Sequence, residues 1–168
     1  MQTVYFKGSP VEVYGEIPSV GTPAPEFTLT GADLSDVTLE NYKGKRLVLN
    51  IFPSLDTDVC AASVRRFNKE AASYDNTCVL CVSMDLPFAM GRFCTANGIE
   101  GVSVASAFRH PEFGQRYGVT IVDGPLKNLL ARAVVVIDEK GEVIYRQLVD
   151  EITNEPDYDA VHDVLKSK

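Results

Sequence analysis

The most chemically distinctive residues of this 168-residue chain are its four cysteines, Cys60, Cys78, Cys81 and Cys94. Cys60 follows a short apolar run, Leu47 to Phe52, whose branched residues predict a buried strand. The residues from Pro53 to Thr57 supply turn and helix-capping chemistry, and apolar residues recur at helical spacing after Asp58. The sequence therefore predicts a strand, a turn and a helix, with Cys60 in the first turn of that helix.

This placement bears on the reactivity of the Cys60 thiol. The first turn of a helix has unpaired backbone N–H groups and the positive end of the helix dipole. A thiol held there ionises more easily, and the thiolate is the form that acts as a nucleophile. Free cysteines are also often inert core residues, so position alone leaves both interpretations of Cys60 open.

Cys78 and Cys81 form a C-x-x-C pair, which in a redox protein works at the start of a helix. Here the pair lies in CVLCVSM, a strand pattern, and residues three apart on a strand point to opposite faces. A zinc site would need further ligands, and neither His110 nor His162 has suggestive spacing. We therefore expect a structural role for both cysteines and no metal site.

Pro53, Thr57 and Cys60 form the pattern P-x-x-x-T-x-x-C, which resembles the active-site signature of the peroxiredoxins. The wider chain is similar to the thiol peroxidase subfamily, from Thr3 to Leu165. Four separated blocks carry this resemblance in one order: FPSLDTDVCAASVRRFN, SMDLPFAMGRFC, DGPLKNLLARAVVVID and LVDEITNEPDY.

The resemblance implies a role for five residues. Cys60 is the peroxidatic cysteine, and Cys94 is the resolving cysteine that forms an intramolecular Cys60–Cys94 disulfide. Thr57 bonds the thiolate and the peroxide, Pro53 walls the pocket, and Arg132 stabilises the thiolate and binds peroxide oxygens. Without the resemblance, Arg132 would be interpreted as a surface charge at a strand start.

The function implied is that of an atypical two-cysteine peroxiredoxin, a thioredoxin-dependent peroxidase reducing hydrogen peroxide and organic hydroperoxides. The family usually forms homodimers, and the sulfur chemistry needs neither a metal nor an organic cofactor. A helix start and a helix body are not normally within disulfide reach. We therefore expect local unwinding around Cys60 and Cys94 on oxidation.

Two other functions remain to be separated from this one. A disulfide oxidoreductase would use Cys78 and Cys81, and the strand setting of that pair counts against it. A redox-sensing or chaperone-like interaction protein would react once with an oxidant and change shape. Catalytic turnover separates such a protein from a peroxidase.

Composition and charge narrow the class of protein. With 45% hydrophobic and 23% charged residues, the chain has ordinary globular composition, and its length suits a single domain over residues 1–168. The formal net charge of −7 argues against nucleic-acid binding, and the short basic cluster Lys43, Lys45 and Arg46 is expected to be a solvated turn. No apolar run approaches the length of a membrane span, and the N-terminal residues lack a signal-peptide core, so we expect a cytoplasmic protein.

Strands that alternate with helices predict an α/β fold with a mixed central sheet and flanking helices. Thr3 to Lys7 and Val11 to Tyr14 predict an N-terminal β-hairpin, and Tyr158 to Lys166 predicts a terminal helix. The resemblance implies the thioredoxin-like version of this fold. A helix from Pro87 to Ala96 contains Cys94, and its apolar residues fit a pocket rim and a core equally well: Leu86, Phe88, Met90 and Phe93.

Overall fold

A seven-stranded mixed sheet is the centre of the computed structural model, which describes residues 1–166. Residues 167 and 168, which the predicted domain of residues 1–168 includes, lie outside the described residues. The strands are β1 (Gln2–Phe6), β2 (Ser9–Val13), β3 (Thr28–Gly31), β4 (Asp36–Thr38), β5 (Arg46–Ile51), β6 (Thr77–Ser83), β7 (Ser103–Ser106), β8 (Ala133–Ile137) and β9 (Val143–Leu148). The α-helices are α1 (Asp58–Glu70), α2 (Pro87–Asn97), α3 (Glu112–Arg116) and α4 (Tyr158–Lys166).

The strand order of the large sheet is β4-β3-β7-β6-β5-β8-β9, while β1 and β2 form a separate antiparallel hairpin. Strand β5 lies inside the sheet, parallel to β6 and antiparallel to β8. All six residues of β5 are buried, which explains why its sequence is apolar on both faces rather than alternating. Because β5, β6 and β7 are parallel, the loops after them leave the sheet at the same edge.

Two apolar cores lie on opposite faces of the sheet. Helices α1, α2 and α4 contribute Val64, Met90 and Val161 to one core. The N-terminal hairpin and α3 contribute Val4 and Phe113 to the other. The predicted α/β fold with helices on both faces and an N-terminal hairpin is therefore confirmed.

Two details differ from the sequence interpretation. Strand β4 has only three residues, none of them buried, so it carries no apolar signal that would predict it. Arg46 is buried rather than part of a solvated basic turn. Its guanidinium donates to the carbonyl oxygens of Leu165 and Asp75, which lie 2.6 Å away in each case, and so it binds the last turn of α4.

Within residues 1–166, none of the helices combines the length and apolar character that crossing a membrane requires.

Candidate active site

Cys60 lies in the first turn of α1, as the sequence predicts. Thr57 has an extended backbone (φ −103°, ψ 145°) and occupies the N-cap position, which makes Cys60 the third helical residue. Cys60, Val64 and Phe67 share the buried face of the helix, at the spacing that brings side chains together. The Cys60 thiol is thus held at the N-terminal end of a helix, inside the protein.

The Cys60 sulfur lies against a buried arginine. Nη2 of Arg132 donates to Sγ of Cys60 over 3.2 Å, although the two residues are 72 positions apart. Cys60 has no exposed surface and Arg132 is 2% exposed. Arg132 directly precedes β8, which pairs with β5, and this pairing brings it beside the helix that follows β5.

The guanidinium of Arg132 has no carboxylate within ion-pair distance among residues 1–166. Its Nε donates to the carbonyl oxygen of Ile152 over 2.8 Å, and its Nη1 is buried with no hydrogen-bond acceptor from the described protein. A buried cation without a carboxylate favours a nearby anion strongly, because water screens the interaction poorly there. The charge of Arg132 therefore lies against the Cys60 sulfur, and one donor of its guanidinium is without a protein acceptor in the described residues.

Pro53 and Thr57 lie on the loop between β5 and α1. Pro53 is buried, whereas Thr57 is exposed. The hydroxyl of Thr57 donates to the carbonyl oxygen of Ser54 over 2.9 Å, and no hydrogen bond joins it to Cys60 in the part of the chain that the structure describes. Thr57 therefore uses its hydrogen within the loop and keeps oxygen lone pairs for another donor.

A short polar chain connects the first turn of α1 to the sheet. Nδ2 of Asn50 on β5 donates to Oγ of Ser63 over 3.1 Å, and Ser63 donates to the carbonyl oxygen of Cys60 over 2.8 Å. All three residues are buried. Buried polar groups that pair in this way fix the position of the backbone they bind.

Asp85 joins the two loops that precede α1 and α2. Its carboxylate accepts hydrogen bonds from the Ser54 hydroxyl at 2.8 Å, the Leu55 N–H at 2.8 Å and the Ser83 hydroxyl at 2.6 Å. A cavity of about 240 Å³ lies next to it, between Leu55 and Phe93. The loops that lead into the two cysteine-bearing helices therefore share one carboxylate.

Cys94 lies in the last turn of α2, half-buried, and is not bonded to Cys60. Gly98 adopts a left-handed conformation (φ 62°) and its N–H donates to the Cys94 carbonyl, which ends the helix. Burial raises the pKa of the Cys94 thiol. The two sulfurs predicted to react with one another thus occupy terminal turns of two helices on the same face of the sheet.

Cys78 and Cys81 point to opposite faces of β6, as predicted. Cys78 packs against the core of the N-terminal hairpin, whereas Cys81 belongs to the core that contains Cys60. Cys81 has no exposed surface, and burial raises the pKa of its thiol to about 12. Their geometry does not suit a redox pair.

The apolar residues around Cys94, which the sequence left open as a pocket rim or as core, divide between the core and the surface. Met90 is buried in the core, and Phe93 packs against that core. Leu86 and Phe88 are exposed, with 47% and 69% of their surface accessible. Asp58, at the start of α1, also faces solvent.

Sequence reasoning missed Asp85, Asn50 and the Ile152 carbonyl. Asp85 follows a buried strand that is parallel to the strand before Ser54, and polar residues at neighbouring carboxyl ends could have indicated their contact. Asn50 is the polar residue in an otherwise apolar run, which is a signal in itself. A backbone carbonyl has no sequence signal, because every residue carries one.

No group of three His, Cys, Asp or Glu is placed to hold a metal ion within residues 1–166.

Comparisons with known proteins identify the family of this chain. A profile described as Redoxin matches residues 19–162. The thiol peroxidases of Corynebacterium glutamicum and Mycobacterium tuberculosis are each 55% identical over 160 residues, which cover 95% of this chain and 96% of each relative. The chain belongs to the redoxin family, in its thiol peroxidase branch. This redoxin also resembles the crystal structure of a peroxiredoxin-like protein from Aquifex aeolicus, with a TM-score of 0.94 and 44% identity over 99% of this chain and 97% of that one.

These relationships confirm two predictions from the sequence, the resemblance to thiol peroxidases and the thioredoxin-like fold. They identify this redoxin as a peroxidase, and hence as an oxidoreductase. They do not by themselves assign a role to any of its residues.

Proposed function

We propose that this redoxin reduces hydrogen peroxide and organic hydroperoxides through a sulfenic acid on Cys60, which Cys94 converts to an intramolecular disulfide. Thioredoxin then reduces the disulfide. The observation that carries the proposal is the 3.2 Å contact between Sγ of Cys60 and Nη2 of Arg132, both buried. This contact gives a nucleophilic sulfur a cation that stabilises its thiolate form.

In the first step the Cys60 thiolate attacks the terminal oxygen of the peroxide, and the O–O bond breaks. The sulfur is oxidised to sulfenic acid, and the leaving alkoxide or hydroxide takes a proton to become an alcohol or water. Negative charge moves from sulfur to the leaving oxygen during this step. Nη1 of Arg132, which has no acceptor from the described protein, is a suitable donor for that oxygen.

Thr57 and Pro53 complete the peroxide site in this proposal. Because the Thr57 hydroxyl donates to Ser54, its oxygen is free to accept a hydrogen bond from the peroxide O–H. This orients the peroxide with its terminal oxygen toward the sulfur. Buried Pro53 forms a wall that has no N–H donor and keeps water away from the sulfenic acid.

In the second step the Cys94 sulfur attacks the sulfur of the Cys60 sulfenic acid and releases water. Burial keeps the Cys94 thiol protonated while α2 is intact, because it raises the pKa of that thiol. Unwinding of the last turn of α2 exposes the thiol, lets it ionise and frees it to move toward Cys60. Thiol exchange with reduced thioredoxin then supplies two electrons and restores both thiols.

The resemblance of the whole chain to thiol peroxidases supports thioredoxin as the reductant and a homodimer as the assembly. Recycling by thioredoxin requires a reducing compartment, which supports the cytoplasm as the location. The sulfur carries the electrons in each step, so the proposed reaction involves neither a metal nor an organic cofactor. Sedimentation of the reduced protein tests the assembly, and a monomer at micromolar concentration would contradict it.

A thioredoxin-coupled assay on the wild type, Cys60→Ser and Cys94→Ser tests the function. We expect sustained turnover in the wild type and none without Cys60. Cys94→Ser reacts once per subunit and stops as a sulfenic acid, which mass spectrometry detects. Cys78→Ser is the matched control and keeps full turnover. A wild type that consumes only one equivalent of peroxide would indicate a sensor rather than a peroxidase.

A further inference from the structure

The N-terminal hairpin binds the segment that follows β9. The N–H of Tyr5 donates to the carbonyl oxygen of Asp150 over 2.6 Å, and the N–H of Ile152 donates to the carbonyl oxygen of Tyr5 over 2.8 Å. Tyr5 and Glu151 thus pair as in a parallel sheet. These bonds connect the N-terminal hairpin to the segment after β9, outside the seven-stranded sheet.

The side chain of Glu151 adds a second connection to the hairpin. Its carboxylate accepts hydrogen bonds from the N–H groups of Lys7 and Gly8, at 3.1 and 2.9 Å, in the turn between β1 and β2. It also accepts from the N–H and hydroxyl of Thr153. The N–H groups of Thr153 and Gly8 lower the pKa of Glu151 to about 2, so the carboxylate is ionised at neutral pH.

The segment held in this way carries the oxygen that orients Arg132. The carbonyl of Ile152, the next residue after Glu151, accepts from Nε of Arg132 over 2.8 Å. Among the described residues, the guanidinium has that oxygen and the Cys60 sulfur as its hydrogen-bond acceptors. The direction of the planar guanidinium therefore depends on where the Ile152 carbonyl lies.

We propose that the N-terminal hairpin positions the guanidinium of Arg132, and that Glu151 is the positioning residue that holds the hairpin against the segment bearing the Ile152 carbonyl. The inference rests on the proposed function, because it takes Arg132 to act on Cys60 and on the peroxide. Glu151 touches neither of them. It acts through backbone atoms and through Arg132, at a distance from the sulfur.

The physical basis is the sensitivity of catalysis to small displacements. A misplacement of about 1 Å, caused by a change far from the reacting atoms, can lower a rate by about 10²-fold. When Glu151 is removed, the hairpin turn loses its side-chain acceptor and the Ile152 carbonyl is held less firmly. Arg132 then samples directions in which its donors do not meet both the sulfur and the leaving oxygen.

The test measures the second-order rate constant for oxidation of Cys60 by hydrogen peroxide, by rapid quenching and mass spectrometry. We expect Glu151→Ala to lower it about ten- to hundredfold, and Glu151→Gln, which keeps one acceptor oxygen, to lower it less. The control is Glu12→Gln, since Glu12 lies on the same hairpin and its side chain accepts from Thr3 instead. We expect this control to react at the wild-type rate.

A second variant displaces the hairpin without changing Glu151. Tyr5→Pro removes the N–H that bonds the Asp150 carbonyl and places a proline ring against that oxygen. It should slow Cys60 oxidation as Glu151→Ala does. Amide exchange at Gly8 and Ile152 reports release of the hairpin, and circular dichroism confirms that each variant is folded.

A double-mutant cycle with Arg132→Met separates the positioning role from a general structural role. If Glu151 acts through Arg132, then Glu151→Ala causes no further loss in the Arg132→Met protein. Equal losses in both backgrounds would overturn the proposal, as would faster exchange at Gly8 and Ile152 with an unchanged rate. An unchanged rate in Arg132→Met alone would instead contradict the proposed function on which this inference rests.

Discussion

Arg132 contacts Cys60 inside the protein, where charge is poorly screened. Its Nε donates to the Ile152 carbonyl and its Nη2 donates to the Cys60 sulfur. Its Nη1 has no protein acceptor among the described residues. This division suits a reaction in which negative charge moves from sulfur to oxygen, because one planar cation can contact both atoms. The role proposed for Arg132 therefore differs from that of a charge that only stabilises the starting thiolate.

Replacing Arg132 tests this role directly. We expect Arg132→Met to lower the rate of Cys60 oxidation by roughly 10²–10³-fold, the usual cost of removing a donor that meets developing charge. Arg132→Lys keeps the positive charge but lacks the forked donors of a guanidinium. We expect its rate of Cys60 oxidation to lie between those of Arg132→Met and the wild type. The same rapid-quench measurement checks both variants.

The control is Arg65→Met, because Arg65 is exposed on the same helix as Cys60. It should react at the wild-type rate. Arg132→Met removes a buried cation but leaves the Ile152 carbonyl without its side-chain donor, so circular dichroism accompanies the rate measurement to confirm that the variant is folded. Oxidation of Arg132→Met at the wild-type rate would exclude a direct role for the guanidinium.

Cys81 provides a prediction about which thiols react. Burial raises its pKa from the ordinary value of 9.0 to about 12, and it has no exposed surface. Iodoacetamide at pH 8 should therefore leave Cys81 unmodified until denaturant is added, as peptide mass spectrometry can show. The raised pKa also means that the contribution of neutral Cys81 to stability is present below pH 9 and is lost as the pH rises above it. Rapid labelling of Cys81 in the folded protein would contradict its assignment as a core residue.

The sequence predicts the elements around the site better than the contacts between them. Apolar periodicity and capping residues place α1 and the first turn that contains Cys60, and the motif resemblance indicates Arg132. The direction of the Thr57 hydroxyl could not be predicted, because the Ser54 carbonyl and the Cys60 sulfur compete for its single hydrogen. The orientation of Arg132 could not be predicted either, since it depends on a backbone oxygen 20 positions away.

Asp85 ties the loop before α1, which the proposed reaction must open, to the end of β6. Its carboxylate binds Ser54 and Leu55 before α1 and Ser83 at the end of β6, so the loop before α1 cannot move without breaking bonds to it. These bonds favour the closed form, in which Cys60 contacts Arg132. Their loss should favour the open form, in which the two sulfurs meet.

Asp85→Ala should therefore speed disulfide formation from the Cys60 sulfenic acid and lower the free energy of unfolding by about 1–3 kcal/mol. Quenched-flow mass spectrometry measures the first quantity, and urea denaturation measures the second. Asp56→Ala is the matched control, because Asp56 lines the same cavity and its carboxylate is exposed. Slower disulfide formation in Asp85→Ala would show that Asp85 does not favour the closed form.

The sheet and the core on the face away from Cys60 form the part of the molecule that the proposed cycle leaves unchanged. Strand β5 is completely buried and paired on both sides, and Asn50 and Ser63 connect it to α1. Cys60 and Cys94, in contrast, lie in the first turn of one helix and the last turn of another, where helices open most readily. Opening should be confined to these two ends.

Amide hydrogen exchange in the reduced and oxidised protein measures this confinement. Formation of the Cys60–Cys94 disulfide should speed exchange at the start of α1 and the end of α2, because both turns unwind to bring the sulfurs within bonding distance. Exchange in β5 and β8 should not change. Cys78→Ser, which keeps both Cys60 and Cys94, should give the same pattern. Equal protection around both cysteines in the two redox states would contradict the predicted unwinding.

The placement at helix ends of both sulfurs that we propose to react has a consequence for the lifetime of the protein. Each round of peroxide reduction then disturbs only a few peptide groups at two helix ends, while most of the apolar interior stays out of contact with other molecules. A catalyst built in this way can change shape many times under oxidative stress without passing through states that aggregate.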